Sequence, residues 1–315
     1  MAKWTDDDLP DLSGRTYVVT GATSGLGLQT ATALAAHGAQ VVLTGRDPDR
    51  LGRSVAEVAA TATGPDPVGQ LLDLADLGSV RAAAEELIAA HPTIHVLINN
   101  AGVMAPPRGT TVDGFELQIG TNHLGHYALT GLLLPALPVA DATADARVVT
   151  VASGAHRMGD VDPDDLNFER RSYQPWRAYG QSKSANLLFT AELDHRAHAA
   201  HAHLVAAAAH PGWAATNLQF AGPSLAQNRI GRTLTSGANL LMGQSARAGA
   251  WPTLYAATES DVRGDDYIGP DGLFEQRGHP RHVGRNSAAS DPDTARRLWE
   301  VSEELTGVVY VWPTA

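Results

Sequence analysis

Tyr179 and Lys183 stand four residues apart in the stretch AYGQSKSAN. On a helix that spacing puts both side chains on one face, one turn apart. An ammonium held beside a phenol favours the phenolate and lowers a pKa that starts near ~10. A tyrosine tuned in this way can give or take a proton at a carbonyl or alcohol oxygen. The same spacing also arises by chance, because both residue types are common on helix surfaces. The pair therefore acquires meaning only from the elements that hold it and the groups beside it.

Those elements alternate along the chain. Short apolar, often β-branched runs occur at 17–20 (YVVT), 40–44 (QVVLT), 68–74 (VGQLLDL), 95–98 (HVLI), 147–152 (RVVTVA) and 203–209 (HLVAAAA), with Ala/Leu-rich helical stretches between them. Continuous apolar strands separated by helices imply βαβ units and a buried parallel sheet. The expected fold is a single-domain α/β structure over 1–315, a doubly wound parallel sheet of about seven strands with helices on both faces. Two stretches interrupt the alternation, at about 156–177 and 218–243. Long connections of this kind serve as substrate loops or as surface decoration.

A glycine-rich turn follows the first strand: Thr20, Gly21, Ala22, Thr23, Ser24, Gly25, Leu26, Gly27, leading into a helix that ends near His37-Gly38. Such a turn lets backbone approach a pyrophosphate, which then sits on the positive helix N-terminus. Its spacing is G-x-x-x-G-x-G rather than G-x-G-x-x-G. About twenty residues on, where an NAD enzyme carries an acid for the ribose 2′-hydroxyl, stands Thr44-Gly45-Arg46. A guanidinium can bind a 2′-phosphate that a carboxylate would repel, so NADP(H) is the expected cofactor. Asp47 follows at once and reads as the cap of the next helix, with Pro48 at its first position.

With TGATSGLG at 20–27, Asp73-Leu74, NNAG at 99–102, Asn122, Ser153, YGQSK at 179–183 and HPGW at 210–213, the chain resembles the short-chain dehydrogenase/reductase family, whose fold is of the Rossmann type. DGFELQIGTNHLGHYALTGLLL, ARVVTVASGAH, DLNFE, AYGQSKSANLLFTAEL and YIGPDGL resemble its retinol-dehydrogenase-like branch, which also carries a long insert between the serine and the tyrosine. The resemblance implies a catalytic set of Asn122, Ser153, Tyr179 and Lys183. Tyr179 would protonate a carbonyl oxygen that Ser153 holds, and Lys183 would bind the nicotinamide ribose and tune the phenol. Asn122 would sit at a helix irregularity and hold a water linking Lys183 to solvent. Asp73 and Leu74 would contact the adenine, Asn99 to Gly102 (with Ala101) the adenosine ribose, and Thr216, after Pro211-Gly212, the carboxamide. Asp73 as a loop cap, and Asn99-Asn100 as a plain turn, are the structural alternatives.

The chain departs from the branch in three ways. It has no apolar N-terminal anchor of the kind animal retinol dehydrogenases often carry, serine stands at 184 where leucine is usual, and there is no cysteine. Without cysteine, disulfides, thiolate metal sites and cysteine nucleophiles are excluded. A net charge of −11 argues against nucleic acid and against an anionic membrane surface. MAKWTDDDLPDLSGR is too polar for a signal peptide, and the longest apolar run, at 128–140, spans about thirteen residues and contains Pro135 and Pro138. The protein reads as soluble and cytoplasmic.

His195, His198, His201 and His203 have partly helical spacing but only Asp194 nearby, and read as a solvated helix end rather than a metal site. His156, Trp213 and Met104 are candidates for lining a substrate pocket, or are packing residues. The expected activity is hydride transfer between NADP(H) and a small to medium apolar carbonyl or alcohol. An epimerase or dehydratase on a related fold, or a non-catalytic NADP-binding sensor, are the alternatives. A homodimer through the helices carrying Asn122 and Tyr179 is the arrangement the family often uses, and 156–177 could obstruct it.

Overall fold

The computed structural model describes residues 3–137, 146–212 and 244–312. Trp213, Thr216 and the stretch 218–243 lie outside them. Eight strands form one sheet: β1 (Thr16–Val19), β2 (Gln40–Gly45), β3 (Val68–Leu71), β4 (Val96–Asn99), β5 (Ala146–Val151), β6 (Leu204–Ala209), β7 (Tyr267–Pro270) and β8 (Pro280–His282). Their spatial order is β3-β2-β1-β4-β5-β6-β7-β8. Seven run parallel, and β8 pairs with β7 antiparallel. The expected count of about seven is thus exceeded by a short edge strand that carries Pro280, whose missing N–H is tolerated at an edge.

The helices are α1 (Gly25–Ala36), α2 (Pro48–Ala59), α3 (Leu77–Ala90), α4 (Leu117–Ile119), α5 (Gly125–Leu133), α6 (Pro175–Ala199), α7 (Ala246–Thr258) and α8 (Pro292–Thr306). Alternation along the central strands supplies both faces of the sheet. Val18, Val42, Leu97, Val148 and Ala206 join α3, α5 and α6 in one core. Val19, Val41, Leu43, Val96, Ile98, Val149 and Ala207 join α1, α2 and α7 in the other. After β3 the chain crosses to the far side of β1, so β1 and β4 flank the topological switch point. Ligands of open α/β sheets bind in the crevice at that point.

The outer face of α5 and α6 is covered by α8 and the residues after it. Trp299 stacks on Phe189 (5.9 Å, 16°), meets Tyr127 edge-on at 5.0 Å and lies under the Arg196 guanidinium. Tyr310 Oη donates to the Tyr127 carbonyl at 2.7 Å, and Arg81 donates to the Thr306 carbonyl at 2.7 Å. α8 thus packs on α6, which carries Tyr179, and on α5, which follows Asn122. Among the described residues no helix is long and apolar enough to cross a membrane.

Candidate active site

The glycine-rich turn and the turn after β4 meet at the switch point. Gly21 has φ +63°, and a Cβ there would lie 2.8 Å from Ala101 Cβ. A Cβ on Gly27 would lie 2.5 Å from Asn100 Nδ2 and 2.6 Å from the Gly21 carbonyl. Side chains at either position would force the two turns apart, so glycine there preserves a cup of bare backbone at the α1 N-terminus. Ser24 caps α1 without a side-chain hydrogen bond of its own, and Thr23, Ser24, Gly25 and Leu26 are half-buried.

Arg46 follows β2 directly and is exposed, with no hydrogen bond or ion pair to the described residues. Asp47 accepts from Arg50 N at 2.9 Å, which makes it a helix cap with Pro48 behind it. Asp73 also makes a local cap, accepting from Ala75 N at 3.0 Å, and Leu74 is buried beside it. Asn99 turns its side chain into the core. Its side chain is fully buried and donates to Thr130 Oγ1 at 3.0 Å, so only its backbone remains on the cup side. Pro211 and Gly212 are half-buried, and Gly212 (φ +65°) donates its N–H to His210 Nδ1 at 3.2 Å.

Four side chains converge at the C-terminal ends of β4 and β5. Asn122 lies in a π-helical turn, Gly120–Leu124, between α4 and α5. Its Oδ1 accepts from Val103 N at 2.8 Å, and its Nδ2 donates to the Val103 carbonyl at 3.0 Å and to Ser182 Oγ at 2.9 Å. Lys183, on α6, donates from Nζ to the Val151 carbonyl at 2.8 Å and lies 5.8 Å from the centre of the Tyr179 ring. Gly102 brings the β4 turn against both, since a Cβ there would be 3.0 Å from Asn122 Oδ1 and 3.6 Å from Lys183 Nζ. Ser153 follows β5, caps a 3₁₀ turn (Gly154–Met158) through Ala155 N at 3.2 Å, and has its hydroxyl close enough to the Tyr179 phenol to lower its pKa.

The short chain dehydrogenase family model matches residues 15–221. Retinol dehydrogenase 13 of Homo sapiens is 37% identical over 304 residues, an alignment covering 94% of this chain and 86% of that protein. The chain belongs to the short chain dehydrogenase family. Within it, polyprenol dehydrogenase of Mus musculus is 40% identical over 304 residues, covering 95% of this chain and 86% of the relative. The crystal structure of an uncharacterised protein from Mycobacterium paratuberculosis matches with a TM-score of 0.79 at 44% identity, over 98% of this chain and 100% of that one.

Electrostatics in this short chain dehydrogenase differ from the simple expectation at Tyr179. Burial pushes its phenol up to about 12, and the hydrogen bond with Ser153 only partly offsets this. Burial pushes Lys183 down to about 8. The lowering expected from helical spacing alone is outweighed, because a dry site disfavours either charge by itself.

His156 does not line an open pocket. It is fully buried, its Nδ1 bonds the Ser153 carbonyl at 2.8 Å, and its ring packs edge-on against Tyr267 at 5.8 Å. Burial pushes it down to about 4, so it backs Ser153 as a neutral ring. Met104 is half-buried, whereas His195, His198, His201 and His203 are exposed at and just beyond the end of α6. The insert before α6 is anchored rather than loose. Asp165 accepts from Glu169 N, Arg170 N, Arg171 N and Arg171 Nε, and Arg171 reaches on to Gln181 Oε1 at 2.7 Å. Ser184 Oγ lies 2.9 Å from the His156 carbonyl and 2.8 Å from that of Gly159, so serine at 184 ties the Ser153 turn to α6.

Sequence reasoning missed Ser182 and His126. Ser182 Oγ links Asn122 to α6, and His126 hydrogen-bonds both Thr20 Oγ1 and the Asn122 carbonyl. Their only signal was spacing: one residue before Lys183, and one helical turn after Asn122.

Proposed function

We propose that the chain is an oxidoreductase that transfers a hydride between NADP(H) and an apolar carbonyl or alcohol of small to medium size, with Tyr179 as general acid and base. The observation that carries this reading is the convergence of Ser153, Tyr179, Lys183 and Asn122 beside a bare-backbone cup at the switch point. The hydride chemistry is that of the bound nicotinamide.

Tyr179 stands protonated at neutral pH and can deliver its proton to a carbonyl oxygen as negative charge develops there. Ser153 supplies a second donor to that oxygen, prepositioned by the turn it caps and by His156 behind it. Lys183 keeps two N–H bonds beyond the one to Val151 and steadies the phenolate left by proton transfer. Asn122 would hold the water that returns the proton from solvent, through its backbone carbonyl, which keeps a lone pair beyond the one that His126 Nδ1 bonds. In the oxidative direction the same residues act in reverse, Tyr179 as the base.

The cofactor would lie with its pyrophosphate on Gly21, Thr23, Ser24, Gly25, Leu26 and Gly27, and its adenine near Asp73 and Leu74. Ala101 and Gly102 would border the adenosine ribose, Lys183 and Tyr179 the nicotinamide ribose, and Thr216, after Pro211-Gly212, would hold the carboxamide. The guanidinium of Arg46, free of partners among the described residues, supports the phosphorylated form. An apolar substrate is supported by exposed Trp176, edge-on to Tyr179 at 6.0 Å, by exposed Met158 beyond Ser153, and by relatives named for retinol and polyprenol. A single-domain enzyme working in the cytoplasm is part of the same reading, supported by one continuous sheet and the acidic net charge.

The test is NADPH oxidation by the pure protein across aldehydes, ketones, quinones and polycyclic ketones. Turnover of apolar carbonyls is expected, and absence of turnover with every class, in both directions, would contradict the reading.

A further inference from the structure

His126 is the first residue after the π-helical turn's closing glycine and is fully buried. Its two ring nitrogens bond different parts of the site. Nδ1 lies 2.9 Å from the Asn122 carbonyl, and Nε2 lies 2.9 Å from Thr20 Oγ1. A carbonyl only accepts, so Nδ1 carries the proton; burial, together with Lys183 nearby, pushes the ring down to about 4 and keeps it neutral. Nε2 must then accept from the Thr20 hydroxyl.

That hydroxyl is fully engaged on its other side. Asn100 N and Ala101 N both donate to Thr20 Oγ1 at 2.9 Å, and Asn100 Nδ2 donates to the Thr20 carbonyl at 2.7 Å. The hydroxyl's one alternative acceptor is the Ile98 carbonyl at 3.3 Å, a longer and weaker bond. Polarity therefore runs in one direction, from the Asn100–Ala101 amides through Thr20 and the imidazole to the Asn122 carbonyl. Asn122 continues it through Ser182 to the helix of Tyr179 and Lys183.

We propose that His126 is a positioning residue that couples the cofactor cup to the proton-transfer site, its Nε2 arm holding Thr20 and the two turns around it, its Nδ1 arm holding the Asn122 turn. This deepens the enzyme reading given above and rests on it. The arms are separable, because an asparagine amide can stand where Nδ1 stands and a glutamine amide where Nε2 stands.

His126→Asn keeps the Asn122 arm and loses the Thr20 arm. It should weaken NADPH binding, read by fluorescence titration, about tenfold, with a smaller change in kcat. His126→Gln keeps the Thr20 arm and loses the other, and should lower kcat about tenfold with a smaller change in NADPH affinity. The imidazole ¹⁵N spectrum of the protein without nucleotide should show the neutral, Nδ1-protonated tautomer between pH 6 and 8. An Nε2-protonated ring, or two variants that alter Kd and kcat in the same proportion while wild-type protein binds NADPH, would overturn the coupling. Wild-type protein with no NADPH affinity would instead overturn the enzyme reading and the functional half of this one, leaving the tautomer to decide the bridge itself.

Discussion

The Asn122 amide donates to Ser182 Oγ at 2.9 Å, and Ser182 Oγ donates in turn to the Tyr179 carbonyl at 2.8 Å. One hydroxyl thus ties the π-helical turn to the helix that carries the proton donor. Ser182→Ala would leave a buried Asn122 N–H without its partner, which costs about 1–3 kcal/mol. The expected outcome is a fall in kcat of about tenfold with a smaller effect on NADPH affinity. A kcat equal to wild type in steady-state assays would mean that Val103 alone fixes Asn122.

Arg46 has no hydrogen bond or ion pair with the described residues and sits where β2 ends beside the cup. A charge-assisted bond to a 2′-phosphate is worth about 1.5–3 kcal/mol. Arg46→Ala should therefore weaken NADPH binding by roughly 10- to 100-fold and NADH binding far less. Equal losses in parallel titrations would remove Arg46 from 2′-phosphate recognition.

Acid should unfold the protein before its carboxylates titrate. Burial holds His123 at about 3, and His126 and His156 at about 4, against 6.5 for each when solvated. The unfolded chain thus binds more protons below pH 6.5, and stability falls as pH drops from 6.5 towards 4. Glu116, raised by burial, opposes this at the bottom of the window. Melting temperatures between pH 7 and 5 should fall steadily, and less steeply for His156→Phe. A flat profile would contradict neutral burial of these rings.

Trp299 closes the α5–α6 face by stacking on Phe189 under Arg196. Trp299→Ala should cost about 3–5 kcal/mol in urea unfolding. Light scattering of the wild type should show no dimer formed through α5 and α6, because α8 would have to leave first. Crosslinks between α5 or α6 of two copies would contradict that arrangement.

Five of the six strands were legible because buried parallel strands are apolar, and the runs at 17–20 and 203–209 lie within a residue of β1 and β6; β3, at the sheet edge with Val68 and Leu71 exposed, was legible from its place between helices. β7 and β8 were not legible: four and three residues with glycine and proline give no periodicity, and their pairing across a hairpin supplies the order. Tyr179 and Lys183 stood out by type and spacing, Asn122 and Ser153 only through the family resemblance, and the structure brings the four side chains together. What spacing could not supply was direction. It left His156 open between pocket lining and packing, where the structure has it backing Ser153, and led to a lowered phenol pKa, which burial reverses. The bonds made by Ser182 and His126 meet at the π-helical turn of Asn122, the helix irregularity that the family resemblance implied and that spacing alone did not announce.

The central claim is that the Tyr179 hydroxyl delivers the proton. Tyr179→Phe removes one oxygen from a ring already packed against Trp176, so the fold should persist. Single-turnover NADPH oxidation with the best carbonyl found for the wild type measures it directly. NADPH affinity should stay within about threefold of wild type and the rate should fall by about 10²- to 10⁴-fold, the usual worth of a positioned acid. A rate within tenfold of wild type, with cofactor still bound, would contradict it.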